Sequence, residues 1–318
     1  MHVFRWDLDK TYLDTDFHSV RSLIRTALEP ATRKRNIPGS AALMRALNRS
    51  NADSRVHIVS GSPTQMRSVL EEKLALDGVR YDELVLKDNL GNIRRGRLRD
   101  VRGQLGYKLP TLLEQRVGLG TPVRETLFGD DAEVDAIVYS VYAEAVAGRL
   151  DEEGLGRVMS AGGAYSDSIR AAKRALRQIS TAEAVQTIFI HLDRLAPPGG
   201  FRPLGARVVP VFSWLQAALV LWESGRLDVA GVVEVARACA DEAELHEIQL
   251  AALVQDIVRR GRVPATSVHR LLDEARDLAP AAPAIRRAVG WVEGGCRPPP
   301  SPRTIDFVGY LSRQRKGR

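Results

Sequence analysis

Short runs of β-type apolar residues alternate with amphipathic stretches over the first two-thirds of the chain. The runs at Val3–Leu8, Val56–Val59, Glu83–Leu86, Glu125–Phe128 and Thr187–Leu192 predict five strands. Between them, amphipathic stretches predict helices over Gly39–Asn48, Pro63–Leu76, Leu109–Arg116, Val134–Ala147 and Asp167–Gln178. Strands separated by helices imply parallel pairing, with the crossovers packed on both faces of one sheet. In such α/β sheets ligands collect at the carboxyl ends of the strands, so that is where chemistry is to be sought.

The pattern changes after the Pro/Gly cluster Leu195–Pro203, which reads as a boundary. Beyond it the sequence reads as nearly all helical. Gly225 and Gly261 each close a helical stretch and are followed by an arginine and a new helix, with Asp228 suited to an N-cap and Pro264 to a first turn. The expected organisation is an α/β domain over 1–200, a helical accessory domain over 201–295 and a Pro-rich, basic tail over 296–318.

Composition narrows the partners. A formal net charge of +7 favours anionic ones: phosphorylated substrates, nucleic acid or a membrane surface. The two cysteines, Cys239 and Cys296, have no ligand-like spacing and suit a reducing compartment. Strand-like sequence begins by Val3, so no signal peptide is expected. No apolar run reaches the length of a membrane span, the longest, "VVPVFSWLQAALVLW", being interrupted by Pro210, Ser213 and Gln216. The expectation is a cytoplasmic protein whose membrane contact, if any, is peripheral.

The strand ends carry the candidate chemistry. The first gives Asp7-Leu8-Asp9-Lys10-Thr11, and alternation along a strand points Asp7 and Asp9 the same way. The second gives Ser60-Gly61-Ser62-Pro63 running into a helix, a hydroxyl and free N–H groups suited to an anion. Lys108 stands at a helix start in "GYKLPTLLEQ", with Lys87, at the end of "LVLK", as its rival. The fourth strand ends in "LFGDDAEVD", giving Asp130, Asp131 and Asp135. Carboxylates from Asp7 and Asp130 are hard oxygen ligands suited to Mg²⁺, whose charge would also relieve the repulsion between Asp7 and Asp9. Asp14 and Asp16 read as a solvated hairpin.

This ordered set, "VFRWDLDKT", "HIVSGS", "GYKLPTLL" and "LFGDDAEVD", resembles the haloacid-dehalogenase-like (HAD) phosphohydrolase superfamily. That resemblance implies a Rossmann-like fold with a five-stranded parallel sheet. It makes Asp7 the nucleophile of an aspartyl-phosphate intermediate and Asp9 the general acid/base, whose backbone carbonyl also reaches Mg²⁺. Thr11 would orient the loop, Ser60 and Lys108 would hold phosphoryl oxygens beside Gly61 and Ser62, and Asp130 would bind Mg²⁺ with Asp135 or Asp131 in support. "VSGSPTQM", "LDTD", "IPGSAALMRAL", "LVLKD" and "TIFIHL" are similar to the branch known as the actin-patch-protein-type phosphatidate phosphatase catalytic domain, over residues of about 1–195. The fourth motif departs from that branch in reading GDDAEVDA, and Arg5 and His57 interrupt strands expected to be apolar.

The gaps Tyr12–Arg55 and Pro63–Tyr107 are too short for a full cap domain, so the site is expected to be capless and its substrate large or membrane-borne. Arg94, Arg95, Arg97, Arg99 and Arg102 read equally as a solvated face or a basic apron for anionic polymers or lipid headgroups. No aromatic residues interleave there, which disfavours stacking on nucleic acid. Trp214, Trp222 and Trp291 read as core of the helical region. The expected function is Mg²⁺-dependent hydrolysis of a phosphomonoester, phosphatidate first. The alternatives are a nucleic-acid end or protein phosphatase, and a non-catalytic scaffold using the helical region.

Overall fold

His2–Trp6, an entirely buried run of five residues, forms β1. It lies parallel to β2 (Ser54–Pro63) on one side and β4 (Arg124–Asp130) on the other, with Phe4 opposite both Val56 and Thr126. β3 (Glu83–Lys87) pairs outside β2, β5 (Val185–His191) outside β4, and β6 (Val208–Val211) outside β5, every pair parallel. The strand order β3-β2-β1-β4-β5-β6 is that of a doubly wound sheet, and it reverses direction at β1 and β4. The computed structural model describes residues 1–15, 29–51, 53–87, 101–120, 122–275, 278, 280–292 and 304–316. Asp16, Arg94, Arg95, Arg97, Arg99, the side chain of Arg102, and Cys296 lie outside the described residues.

The sheet alternates its side chains between two apolar layers. Phe4, Trp6, Val56, Ile58 and Phe128 pack against α1 (Ser40–Ser50) and α2 (Arg67–Leu76). The same layer continues through α7 (Trp214–Glu223), α8 (Val229–Glu242), α9 (Glu247–Arg259), α10 (Ala265–Glu274) and α11 (Ala282–Gly290). Val59, Leu127, Ile188 and Ile190 face the other way, onto α3 (Val101–Val117), α4 (Asp135–Val146), α5 (Glu152–Ala161), α6 (Ser166–Leu176) and α12 (Phe307–Lys316). Trp214 is fully buried and packs on Trp6 and Phe128, with ring centroids 5.4 and 5.9 Å away. The first C-terminal helix is thereby seated directly on the central strands.

The sheet has six strands among the described residues, not five, and the region beyond residue 201 is not all helical. β6 lies at the head of "VVPVFSWLQAALVLW", where four strand residues run almost directly into the helix that Ser213 caps. A continuous apolar run carries no period that separates the two. Pro210 is tolerated because β6 is an edge strand. Further corrections concern boundaries. β1 ends at Trp6 instead of Leu8, β2 runs through Pro63, and a short 3₁₀ turn, Thr64–Met66, precedes α2. α3 begins at Val101, so Lys108 lies inside a helix and is fully buried. Trp291 is 78% exposed and is no core residue. The expected helix punctuation does form: Gly225 and Gly261 take φ of 70° and 67°, and Asp228 accepts the Gly231 N–H at 2.7 Å. Among the described residues, no helix is long and apolar enough to cross a membrane.

Arg5 and His57 belong to a polar seam across the strands. Arg5 Nε donates to Glu125 on β4, and its Nη1 to Gln115 on α3. Glu125 also accepts from Arg116 Nη1 at 3.0 Å and from Tyr142 Oη at 2.8 Å. His57, opposite Arg5 in register, lies 3.2 Å from Glu83. Buried charges persist only when paired and hydrogen-bonded, and here one carboxylate serves two guanidinium groups and a phenol. Removing one partner leaves the others uncompensated. Arg5→Leu is therefore expected to lower stability by about 3–5 kcal/mol in urea unfolding, and a loss well under that range would show the seam to be dispensable.

Candidate functional site

The loop that follows β1 is held by its carbonyls. That of Lys10 accepts from His191 Nδ1 at 3.2 Å, that of Thr11 from Trp214 Nε1 at 3.1 Å, and that of Tyr12 from Ser40 Oγ and the Ile37 N–H, both at 2.9 Å. Three consecutive residues are thus fixed by β5, α7 and the entry to α1. Lys10 takes a φ of 59°, which turns the chain away from the strand direction. Strand alternation therefore does not extend to Asp9. Asp7 and Asp9 have different partners.

Asp7 enters a cluster at the carboxyl ends of β1 and β4. Lys108 Nζ lies 2.8 Å from Asp7 Oδ1, 2.9 Å from Glu133 Oε2 and 2.6 Å from Asp135 Oδ1. Thr11 Oγ1 sits between Asp7 Oδ2 at 3.3 Å and Asp130 Oδ2 at 3.4 Å. Asp130 Oδ1 accepts the N–H groups of Ala132 and Glu133 at 2.6 and 2.9 Å, a turn that folds the chain back after β4 and delivers Glu133 and Asp135. Asp135 opens α4 with its carboxylate at the positive end of the helix. Gly129 makes room for it, since a Cβ there would lie 2.5 Å from Asp135 Oδ2.

Asp9 is held on the β2 side. Its Oδ2 accepts from Ser62 Oγ at 2.8 Å and Ser60 Oγ at 3.3 Å, and its Oδ1 from Thr15 Oγ1 at 3.0 Å. Ser60 Oγ also accepts the Ser62 N–H at 2.9 Å across Gly61. The first two strand ends are therefore joined through a carboxylate and its hydroxyls. Asp131 stands apart: its carboxylate accepts the N–H groups of Arg194 at 2.8 Å and Ala196 at 3.0 Å, and so closes the loop after β5.

Asp7, Asp130, Glu133 and Asp135 each offer one oxygen, and the four atoms lie within 4.8 Å of one another. Glu133 was not among the residues singled out in the sequence, although it stands inside the acidic run, and only the Asp130 turn shows which of its members face inward. Burial raises the pKa of Asp7 and Asp130 well above the usual carboxylate range against the pull of Lys108, and the neighbouring carboxylates add to the rise. Burial likewise raises Asp135 to about 6, opposed by Lys108 and reinforced by Glu133. Lys108 is itself pushed well above the usual lysine range: burial opposes its charge, and Asp135, Asp7 and Glu133 outweigh it.

A metal ion fits this donor set. Four carboxylates face one ammonium, all are hard oxygen donors, and the fully buried Asp7 Oδ1 accepts no hydrogen bond among the described residues despite the nearby ammonium. The cavity beside the site is a separate space. It measures about 450 Å³ and is lined by Ile37, His191, Ser213, Cys239 and residues of α9, but by none of the four carboxylates. Comparisons of the chain with protein-family models, with curated proteins and with solved structures found no match.

The raised carboxylates set a pH dependence. Folded Asp135 holds its proton up to about 6, above its ordinary 3.8, so its contribution is complete below pH 3.8 and is lost as pH rises through about 6. Asp7 and Asp130, raised in the same direction, extend that loss upward. A bound divalent cation favours the ionised forms and opposes it. The melting temperature in chelator is expected to fall as pH rises from about 3.8 through about 6 and to go on falling above that, and the increment from saturating divalent cation to grow in the same direction. Circular dichroism melts across pH check this; an increment that shrinks with pH would rule out cation binding by these carboxylates.

Proposed function

We propose that the chain is a Mg²⁺-dependent phosphomonoester hydrolase that works through an aspartyl-phosphate on Asp7. The observation that carries the reading is the convergence, at the carboxyl ends of β1 and β4, of a buried four-carboxylate cluster around Lys108 with a separately held Asp9. This is where a doubly wound sheet binds ligands. The turn after β1 carries two aspartates and no glycine, which argues against a dinucleotide cradle.

Mg²⁺, held by Asp7, Asp130 and Asp135 or Glu133, would supply positive charge to the phosphoryl oxygens. An Asp7 carboxylate oxygen attacks phosphorus as the ester P–O bond breaks, and the leaving oxygen takes the proton of Asp9. Water then attacks the aspartyl-phosphate, gives a proton back to Asp9, and releases inorganic phosphate and the free Asp7 carboxylate. Thr11 holds Asp7 and Asp130 in common register, and Ser60, Ser62 and Thr15 fix the position of Asp9. A large or membrane-borne phosphomonoester such as phosphatidate is the substrate that the resemblance of the motifs favours.

A second reading, a non-catalytic scaffold, draws on one observation: Lys108 already binds three carboxylates, which makes the cluster an internal brace even without a cation. Hydrolysis of an aryl phosphate separates the two. Mg²⁺-dependent turnover is expected from the wild type, with Asp7→Asn slower by about a thousandfold or more. Equal rates for the two proteins would refute the hydrolase.

A further inference from the structure

We infer that Lys87 and Tyr107 form an anion subsite that receives the phosphate oxygens of the substrate, an inference that rests on the reading of the site as a phosphate-ester site. Lys108, the lysine that the resemblance assigns to the phosphoryl group, is already held among three carboxylates. Its ammonium donates to Glu133 at 2.9 Å and Asp135 at 2.6 Å and is ion-paired with Asp7 at 2.8 Å, which leaves little of its charge for a phosphate. The charge balance points the same way. A divalent cation and Lys108 together do not offset four carboxylates, so a phosphate dianion entering the cluster meets net negative charge unless another cation faces it.

Lys87 is that cation. It is the last residue of β3, paired in register with Pro63, so it stands at the same carboxyl edge as Ser60 and Ser62. Its side chain is half-buried, and among the described residues its ammonium makes no ion pair. Its Nζ lies 5.7 Å from the ring centroid of Tyr107, a contact that orients the charge without neutralising it. Burial lowers its pKa, with Glu133 opposing and Lys108 adding to the shift, so it lies within electrostatic reach of the cluster.

Tyr107 adds a donor. Its hydroxyl is buried and has no hydrogen-bond partner among the described residues, an arrangement that costs free energy until a partner arrives. It directly precedes Lys108 on α3, and the charges of Lys108 and Asp7 both reach it. Among the described residues, an ammonium without an ion pair stands beside a phenol without a hydrogen-bond partner, and the two together suit an acceptor that carries negative charge. A phosphate oxygen satisfies both, and the subsite places it between the ends of β2 and β3 and the α3 side of the cluster.

The test is direct binding of inorganic phosphate to the full-length protein in saturating Mg²⁺, measured by titration calorimetry. Lys87→Met is expected to weaken the affinity by about tenfold or more and Tyr107→Phe by about fivefold, with Lys87→Arg close to wild type. Circular dichroism melts verify that each variant is folded. Wild-type affinity in folded Lys87→Met, or no phosphate binding by the wild type, overturns the subsite. Hydrolysis is read separately. Binding that depends on Lys87 without any turnover supports the subsite and removes the hydrolase, whereas turnover with unchanged phosphate affinity in both variants removes the subsite alone.

Discussion

A fully buried ammonium surrounded by carboxylates ties the centre of this fold together. Lys108 comes from α3, Asp7 from the end of β1, and Glu133 and Asp135 from the turn into α4. None of these groups is stable alone away from water, because an unpaired buried charge costs several kcal/mol. Each therefore constrains the position of the others. α3 must lie over the carboxyl ends of β1 and β4, the chain must turn tightly after Asp130, and residue 129 must be glycine for Asp135 to approach the strand. The excess of carboxylate over ammonium that remains can be met by a further positive charge, which a metal ion could supply.

The opposite layer of the sheet stabilises the same loop from behind. Trp6, Phe128 and Phe189 form a run of stacked rings across β1, β4 and β5, and Trp214 packs onto it. The indole N–H of Trp214 then reaches the Thr11 carbonyl, while His191 stacks on Trp214 and donates to the Lys10 carbonyl. The C-terminal helices are thus connected to the loop that carries Asp9 and Thr11. Apolar packing and a pair of hydrogen bonds together decide where that loop sits.

Much of this was legible from the chain as written. The alternation of apolar runs with amphipathic stretches is a local property, and a parallel sheet covered on both faces follows from it. Asp7, Asp130, Asp135 and Lys108 were legible as candidates because they fall at the ends of those runs. Glu133 was not, because the acidic stretch from Asp130 to Asp135 shows no direction until the Asp130 side chain turns it. Asp9 was placed beside Asp7 by strand alternation, which lapses where β1 stops at Trp6 and Lys10 turns the backbone. β6 was hidden because four strand residues merge with the following helix into one apolar run.

Arg5 shows most clearly where the sequence stops. A charged residue in the middle of an apolar strand has no local explanation, since its partners Glu125, Gln115 and Tyr142 lie more than a hundred positions along the chain. By itself the sequence determined the elements, the sheet class and most of the residues at the strand ends, because these follow from periodicity and from side-chain chemistry read in place. Only the tertiary structure decided which carboxylates share one ammonium, which are drawn off by hydroxyls or backbone N–H groups, and how a buried arginine is paired. Those outcomes depend on distances between segments remote in sequence, and the cost of burying charge makes such distances decisive.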